Sequence, residues 1–219
     1  MIPEKVILVL EIIGTISFAV SGAFVAIGAC LDIFGVIFIG CITAIGGGIV
    51  RDVLIGISPP SVFSDFSIFI IAAVSSVIVF AAVFRNKEKF DILNEKITYI
   101  NNFFDAVGLA AFSVMGTETA FTEGFADNAF LSVVLGMLTG IGGGIFRDIL
   151  TRTTPYVFKK HIYAVASILG SCLYYILRKY FDNVIIASVT AMLSVIIVRL
   201  LATKYRWSLP KIRLEDKER

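Results

Sequence analysis

The chain has 219 residues, of which 58% are hydrophobic and 16% are charged, and its mean hydropathy is +0.91. A soluble globular domain does not need so much apolar surface, so the composition excludes that class and predicts a polytopic membrane protein. The net charge of +2 comes mostly from basic residues outside the apolar runs. Basic residues outside the apolar runs are typical of the loops that orient a membrane protein, so we expect no nucleic-acid partner.

Apolar windows predict seven transmembrane helices in one domain over residues 1–203, followed by a polar tail at 204–219. The predicted helices span residues 5–28, 34–57, 65–84, 100–121, 129–151, 160–180 and 183–203. Thirteen lysines and arginines fall in the connections and tail on one side of the membrane, and three fall on the other. We therefore expect a protein of the cell membrane with its N-terminus outside and its C-terminus in the cytoplasm.

One sequence pattern occurs twice. Residues 43–52 are TAIGGGIVRD and residues 139–148 are TGIGGGIFRD, while Glu11, Gly14 and Phe18 correspond to Asp105, Gly108 and Phe112 at an offset of 94. The two repeats span about 5–84 and 100–180 and contain three predicted helices each. Because three is odd, the second copy enters the membrane from the opposite side, which predicts an inverted repeat with a seventh helix that has no counterpart.

Both repeats carry three consecutive glycines in the middle of an apolar helix: Gly46, Gly47, Gly48, Gly142, Gly143 and Gly144. A glycine inside a helix costs about 1 kcal/mol relative to alanine, and each triplet lies near the depth of the bilayer midplane. We therefore expect helices 2 and 5 to be broken there, with freed carbonyl groups lining a path that replaces the hydration shell of a cation. The alternative is that the glycines serve helix packing only.

Charged residues follow each triplet or match its depth: Glu11, Arg51, Asp52, Asp105, Arg147 and Asp148. Such residues are unfavourable in a membrane unless they are paired or hydrated. Depth along the helices predicts an ion pair between Glu11 and Arg51 in the first repeat. The inverted repeat then predicts a pair between Asp105 and Arg147 in the second. These pairs have either a structural or a gating role, and the alternative partner is an aspartate of the same motif, Asp52 or Asp148, on a neighbouring helix.

Three further polar residues have simpler interpretations. Glu118, near the outer end of helix 4, is expected to be solvated or to attract cations to a pore mouth. The side chain of Arg199 is expected to reach the inner membrane surface, and His161 is expected at the membrane interface. The sequence contains no phosphate-binding loop, nucleophile elbow or metal-ligand spacing. We therefore expect no enzymatic activity, no metal site and no cofactor.

The doubled glycine motif resembles that of the prokaryotic branch of the TRIC (trimeric intracellular cation) channel family. Further segments that carry the resemblance, which extends over about residues 5–200, are FAVSG at 18–22, DAVGL at 105–109 and HIYA at 161–164. The resemblance implies seven transmembrane helices and a homotrimer. It also implies one pore per protomer, between helices kinked at the glycine triplets, that conducts monovalent cations, best known for potassium.

These observations predict a passive channel for K⁺ or Na⁺, with membrane lipid as a further partner. A secondary transporter of a small solute, such as an amino acid, is the alternative, because transporters also use inverted repeats with broken helices. The absence of an acidic residue at the break itself favours the channel. A third possibility, a membrane scaffold without transport activity, does not explain the glycine triplets.

Overall fold

The computed structural model describes residues 2–86, 94–159, 162–181 and 183–207, and the regular structure of these residues is entirely helical. Seven long helices of 19 to 29 residues follow one another in this part of the chain. They are α1 (Ile2–Gly28), α2 (Ile33–Leu54), α3 (Ser67–Arg85), α4 (Asn94–Thr122), α5 (Ala129–Leu150), α6 (Ile162–Phe181) and α7 (Val184–Lys204). Two short pieces lie in the connections: a 3₁₀ turn, Ser61–Phe63, and a four-residue helix, Tyr156–Lys159.

Five of these helices, α1, α2, α3, α5 and α7, are long and apolar enough to cross a membrane. The other two are α4, with 29 residues, and α6, with 20 residues. At 1.5 Å per residue both reach at least ~30 Å, the thickness of a hydrocarbon core. The helices lie where the sequence predicts them, except that α4 begins six residues earlier than expected. His161 and most of the polar tail lie outside the described residues.

Polar residues at the helix ends explain why several helices begin where they do. The side chains of Asp32, Asn128 and Asn183 accept hydrogen bonds of 2.8–3.1 Å from backbone N–H groups in the first turns of α2, α5 and α7. Asparagine and aspartate are favoured N-cap residues because they pair N–H groups that have no partner within the helix. At the other end of α2, Gly56 adopts a φ of +79°, which lets the chain turn sharply out of the helix.

The two halves of the protein meet through their first and second helices. α1 packs against α4, where the rings of Phe18 and Phe112 are 5.3 Å apart, and α2 packs against α5. α3 covers α1 and α2, while α6 and α7 cover α4 and α5. Large apolar side chains such as Phe34, Ile78 and Phe130 lie on the outer surface, where a membrane protein contacts lipid.

The predicted break in helices 2 and 5 is wrong. Both helices are continuous α-helix through their glycine triplets, so the expected free carbonyl groups are absent there. In a membrane, each unpaired backbone group costs several kcal/mol, which exceeds the ~1 kcal/mol by which a glycine weakens a helix. At Gly47 and Gly143 the missing side chains allow the two helices to approach closely, which is the contact that the packing alternative requires.

Candidate functional site

The site is organised around the crossing of α2 and α5, where backbone touches backbone. A β-carbon on Gly47 would overlap the carbonyl of Thr139, and a β-carbon on Gly143 would overlap the carbonyl of Thr43. These residues correspond to one another at an offset of 96, so each half makes the same contact to the other. Such reciprocal contacts are those of a two-fold axis. At this depth the backbones of α2 and α5 are in direct contact.

A closed ion cluster lies on the second-repeat side of the crossing. The Arg147 guanidinium donates hydrogen bonds of 2.8 Å to Asp105, Asp148 and the Ser21 hydroxyl. Arg147 is 0% exposed, and so is Asp105. The predicted ion pair between Asp105 and Arg147 is thus present, and Asp148, which follows Arg147 on the same helix, binds the same arginine. We refer to these residues as the Arg147 cluster.

Helix α7 completes the Arg147 cluster, which the sequence did not predict. Arg199 places Nη2 3.4 Å from Asp105 Oδ2 and its guanidinium 4.6 Å from the centre of the Tyr163 ring. Only 2% of Arg199 is exposed, so the expectation that this side chain reaches the membrane surface is wrong. The reason is that α7 packs against α4 and directs Arg199 at the buried carboxylate of Asp105.

The first repeat forms a different cluster from the equivalent residues. Arg51 Nη2 lies 2.7 Å from Asp52 Oδ1, and Asp52 Oδ2 accepts hydrogen bonds of 2.8 and 2.7 Å from the N–H and hydroxyl groups of Ser61. Among the described residues, Glu11 makes no ion pair with Arg51, so that predicted pair is wrong. Arg51 pairs with Asp52 in place of Glu11 because Ser61 holds the Asp52 carboxylate in position and the pair requires no contact across to α1.

A cavity of about 200 Å³ lies beside Arg51, and Glu11 lines it together with Thr15, Ser61, Asp65 and Ile68. Among the described residues, an aromatic side chain lies at the corresponding place in the second repeat. Alignment of SVF at 61–63 with YVF at 156–158 makes Ile68 the counterpart of Tyr163, whose hydroxyl lies 3.4 Å from Asp105 Oδ1.

The last glycine of each triplet also has different surroundings in the two repeats. A β-carbon on Gly144 would lie 2.9 Å from the Tyr163 hydroxyl oxygen, whereas one on Gly48 would meet only Arg51 Nη2, at 3.9 Å. The space next to the triplet is thus open in the first repeat and occupied in the second. We refer to the open volume as the Glu11 cavity.

Glu118 belongs to a third polar cluster, away from the crossing. Its carboxylate accepts a 2.8 Å hydrogen bond from the Tyr174 hydroxyl and lies 3.2 Å from Arg178 Nε. With 3% of its surface exposed, Glu118 is not the solvated helix-end residue that the sequence predicted. Tyr174 and Arg178 are four residues apart on α6, so one face of that helix supplies both partners. This i, i+4 pair was the available signal in the sequence.

The fold and the paired Arg-Asp motifs define an all-helical, polytopic membrane protein built from two similar halves. A sequence model of the family described as "Glycine transporter" matches the chain twice, over residues 8–85 and 102–179. The two matches are offset by 94 residues, the offset that relates Glu11 to Asp105.

Several known proteins are similar over most of the chain. The UPF0126 inner membrane protein YadS of Escherichia coli K12 is 32% identical over 214 residues, covering 96% of this chain and 98% of its own. The UPF0126 membrane protein YvgT of Bacillus subtilis is 42% identical over 161 residues, covering 74% of this chain and 75% of its own.

Solved structures give the same relationship. A crystal structure of a prokaryotic TRIC channel in 0.5 M KCl superimposes with a TM-score of 0.82 at 32% identity, covering 94% of this chain and all of the other. The TRIC trimeric intracellular cation channel orthologue from Rhodobacter sphaeroides gives a TM-score of 0.82 at 25% identity, covering 93% of this chain and 100% of its own. The chain therefore belongs to the TRIC channel family, as its sequence motifs indicate.

Proposed function

We propose that the protein is a passive channel for monovalent cations, with potassium as its main permeant ion, in the cell membrane. The observation that carries this proposal is the structural likeness to a prokaryotic TRIC channel over 94% of the chain. Channels of this kind move ions without chemical conversion, so the proposal includes no enzymatic step.

The proposed ion path runs beside the α2–α5 crossing, not through it. The sequence-based pore lay between the glycine triplets, where the two backbones are now in contact. The Glu11 cavity is the better entrance, because it is open and has acidic groups on its wall. In this conformation the Arg147 cluster fills the equivalent position in the other repeat. An open channel therefore requires that this cluster rearrange or that the path pass around it.

The proposed assembly is a homotrimer in which each protomer has its own path. The description of the Rhodobacter sphaeroides relative as a trimeric channel supports this proposal. The distribution of lysine and arginine supports an outside N-terminus and a cytoplasmic tail at 204–219. In that orientation the Glu11 cavity faces the outside and the Arg147 cluster lies toward the cytoplasm. Mass measurement of the protein in detergent tests the assembly, and a stable monomer or dimer would contradict it.

Single-channel recording tests conduction directly. Purified protein in planar bilayers should give unitary potassium currents that reverse at the potassium equilibrium potential in asymmetric KCl. Protein carrying Gly143→Val, reconstituted at the same density, is the control for contaminating channels and should give none. Absence of currents from well-assembled wild-type protein, together with saturable solute uptake in vesicles, would contradict the channel.

A second candidate function is transport of glycine or another small amino acid. The family description "Glycine transporter" favours it. The Glu11 cavity offers a carboxylate for an ammonium group and the Arg51 guanidinium for a carboxylate. Uptake of labelled glycine into proteoliposomes, measured beside potassium flux in the same preparation, separates the candidates. A channel gives potassium flux without saturable glycine uptake, and a transporter gives the reverse.

A further inference from the structure

We propose that the Glu11 cavity is a binding site for a small positive group, formed by the Glu11 and Asp65 carboxylates and the Thr15 hydroxyl. The bound group is either an inorganic monovalent cation or the ammonium end of a small amino acid. The inference rests on the proposed transport function and assigns residues to it. Among the described residues, this combination of groups occurs in the first repeat.

The hydroxyl of Thr15 is the first indication of a ligand. Thr15 is 0% exposed and lines the cavity, yet its oxygen has no hydrogen-bond partner among the described residues. Thr43 and Thr139, which also lie inside helices, each donate a 2.6 Å bond to the carbonyl four residues earlier. Leaving a buried hydroxyl without any partner is unfavourable, so Thr15 is positioned for a group that the cavity admits.

The charge on the cavity wall is the second indication. Arg51 and Asp52 form a pair with no net charge, and Glu11 and Asp65 are two further carboxyl groups on the wall. Among the described residues, neither of these carboxylates has a basic partner within ion-pair distance. Hydrogen bonds from the hydroxyl and N–H groups of Ser67 lower the pKa of Asp65, so this group is ionised at neutral pH. A cavity whose wall carries two carboxyl groups without an ion-pair partner favours a positive group.

The second repeat contains the opposite arrangement at the equivalent positions. Asp105, the counterpart of Glu11, is neutralised by Arg147 and Arg199. Leu109 stands where the first repeat has Thr15, and in the sequence Lys160 corresponds to Asp65. A positive group from outside has no place there, because arginine side chains already occupy it. The cation in the first repeat takes the role that these arginines have in the second.

The size of the cavity suits a hydrated ion or a small ammonium compound. On the same measure of volume, ~10–15 Å³ is enough to hold one water molecule, and the Glu11 cavity has about 200 Å³. A potassium ion can therefore bind the three oxygen-bearing side chains while keeping water in its remaining coordination positions. A glycine molecule can place its ammonium group at Glu11 and its carboxylate toward Arg51.

The test is a ligand-dependent thermal unfolding measurement on the purified full-length protein in detergent. KCl or NaCl replaces choline chloride at constant ionic strength, glycine is added to the choline chloride solution, and the variants are Glu11→Gln, Asp65→Asn and Thr15→Val. These near-isosteric changes keep the fold, since each removes a group that has no partner across the cavity. Glu123→Gln at the exposed end of α4 and Thr119→Val, whose hydroxyl bonds its own helix, are the matched controls.

We expect saturable stabilisation of the wild type, with a half-saturating concentration that rises about tenfold or more in Glu11→Gln and less in the other two cavity variants. The controls should bind as the wild type does. Stabilisation by KCl or NaCl identifies an inorganic ion, and stabilisation by glycine in choline chloride identifies an amino acid. Equal unfolding temperatures in all four solutions, or unchanged binding in Glu11→Gln, would overturn the site. Bilayer currents without such binding would overturn only the site, and binding without currents would overturn only the channel.

Discussion

The two repeats carry the same Gly-Gly-Gly-x-x-Arg-Asp motif in very different surroundings. In the second, Asp105, Tyr163 and a side chain from α7 surround Arg147, and the Tyr163 hydroxyl lies next to Gly144. In the first, Arg51 is satisfied by its neighbour Asp52 and by Ser61, and an open cavity lies beside it. The motif supplies the same arginine and aspartate in both repeats. The residues around the motif determine whether the space beside the arginine is open or occupied. The predictions below test this contrast, ordered by their expected effect on stability.

The largest effect is expected from neutralising the acid that each repeat places on its first helix. Asp105→Asn leaves two buried guanidinium groups short of a partner and should destabilise by about 3–5 kcal/mol. Glu11→Gln removes a carboxylate without an ion-pair partner and should leave stability unchanged or raise it. Thermal unfolding of both variants in choline chloride measures the difference. Equal losses would contradict the assigned pairing.

A double-mutant cycle sharpens this first prediction. If Asp105 and Arg147 interact as the 2.8 Å contact indicates, the losses from Asp105→Asn and Arg147→Gln should not add. The parallel cycle with Glu11→Gln and Arg51→Gln should be close to additive, because these side chains make no direct contact. Additive effects in the second repeat would refute the interaction.

The next largest effect is expected at the reciprocal crossing, where the two repeats are alike. Gly47→Val and Gly143→Val each force a side chain onto the backbone of the opposite helix, and overpacking of this kind costs about 1–3 kcal/mol. Both variants should be destabilised similarly, and both should lose conduction. Gly28→Ala, at the end of α1 in open space, is the control and should behave as the wild type does. Wild-type currents from an assembled Gly143→Val protein would show that the crossing is not needed for transport.

A smaller effect is expected at the last glycine of each triplet, where the repeats differ. Gly48→Ala places a methyl group in open space and should stabilise by up to ~1 kcal/mol, since alanine is the better helix former. Gly144→Ala brings its methyl group against the Tyr163 hydroxyl and should lose that gain or become destabilising. Unfolding temperatures of the two variants measure the contrast, and a larger gain for Gly144→Ala would reverse it.

The smallest effect on stability, combined with a clear effect on function, is expected from Ile68→Tyr. This change gives the first repeat the aromatic ring that fills the second, and the cavity has room for it. We expect an unfolding temperature near that of the wild type and reduced potassium current in planar bilayers. Ile68→Val is the control for a change at this position without filling. Full current through the Ile68→Tyr protein would place the ion path elsewhere.

The sequence predicted the helices well because apolar length and polar caps determine them locally. It also predicted the Asp105–Arg147 pair, since depth in the membrane follows from residue number along a helix. The same argument was wrong for Glu11 and Arg51, because depth does not describe competition from Asp52 and Ser61. It also missed Arg199 and Glu118, whose partners lie on helices distant in sequence and become neighbours only through packing.

The glycine triplets show a further limit of sequence reasoning. Three glycines in succession predict a weak helix, yet the helix remains continuous when the alternative is an unpaired backbone in lipid. Their role depends on the residues opposite, Thr43 and Thr139, which the pattern within one helix does not reveal. The repeat contained the necessary signal, because a two-fold relation places the same segment of each copy at the axis.

The reciprocal crossing has an evolutionary consequence. After duplication, a substitution in one triplet alters a contact that the other triplet also makes, so neither copy can drift alone at the axis. Residues 43–52 and 139–148 are identical at eight of ten positions, whereas the connections at 61–70 and 156–165 agree at two of ten. Contacts at the two-fold axis limit sequence divergence between the repeats, whereas the connections, which lie away from the axis, can diverge. Duplication of this kind keeps the α2–α5 crossing constant. The second repeat is then free to form a buried ion cluster, while the first keeps the cavity that we propose as a binding site.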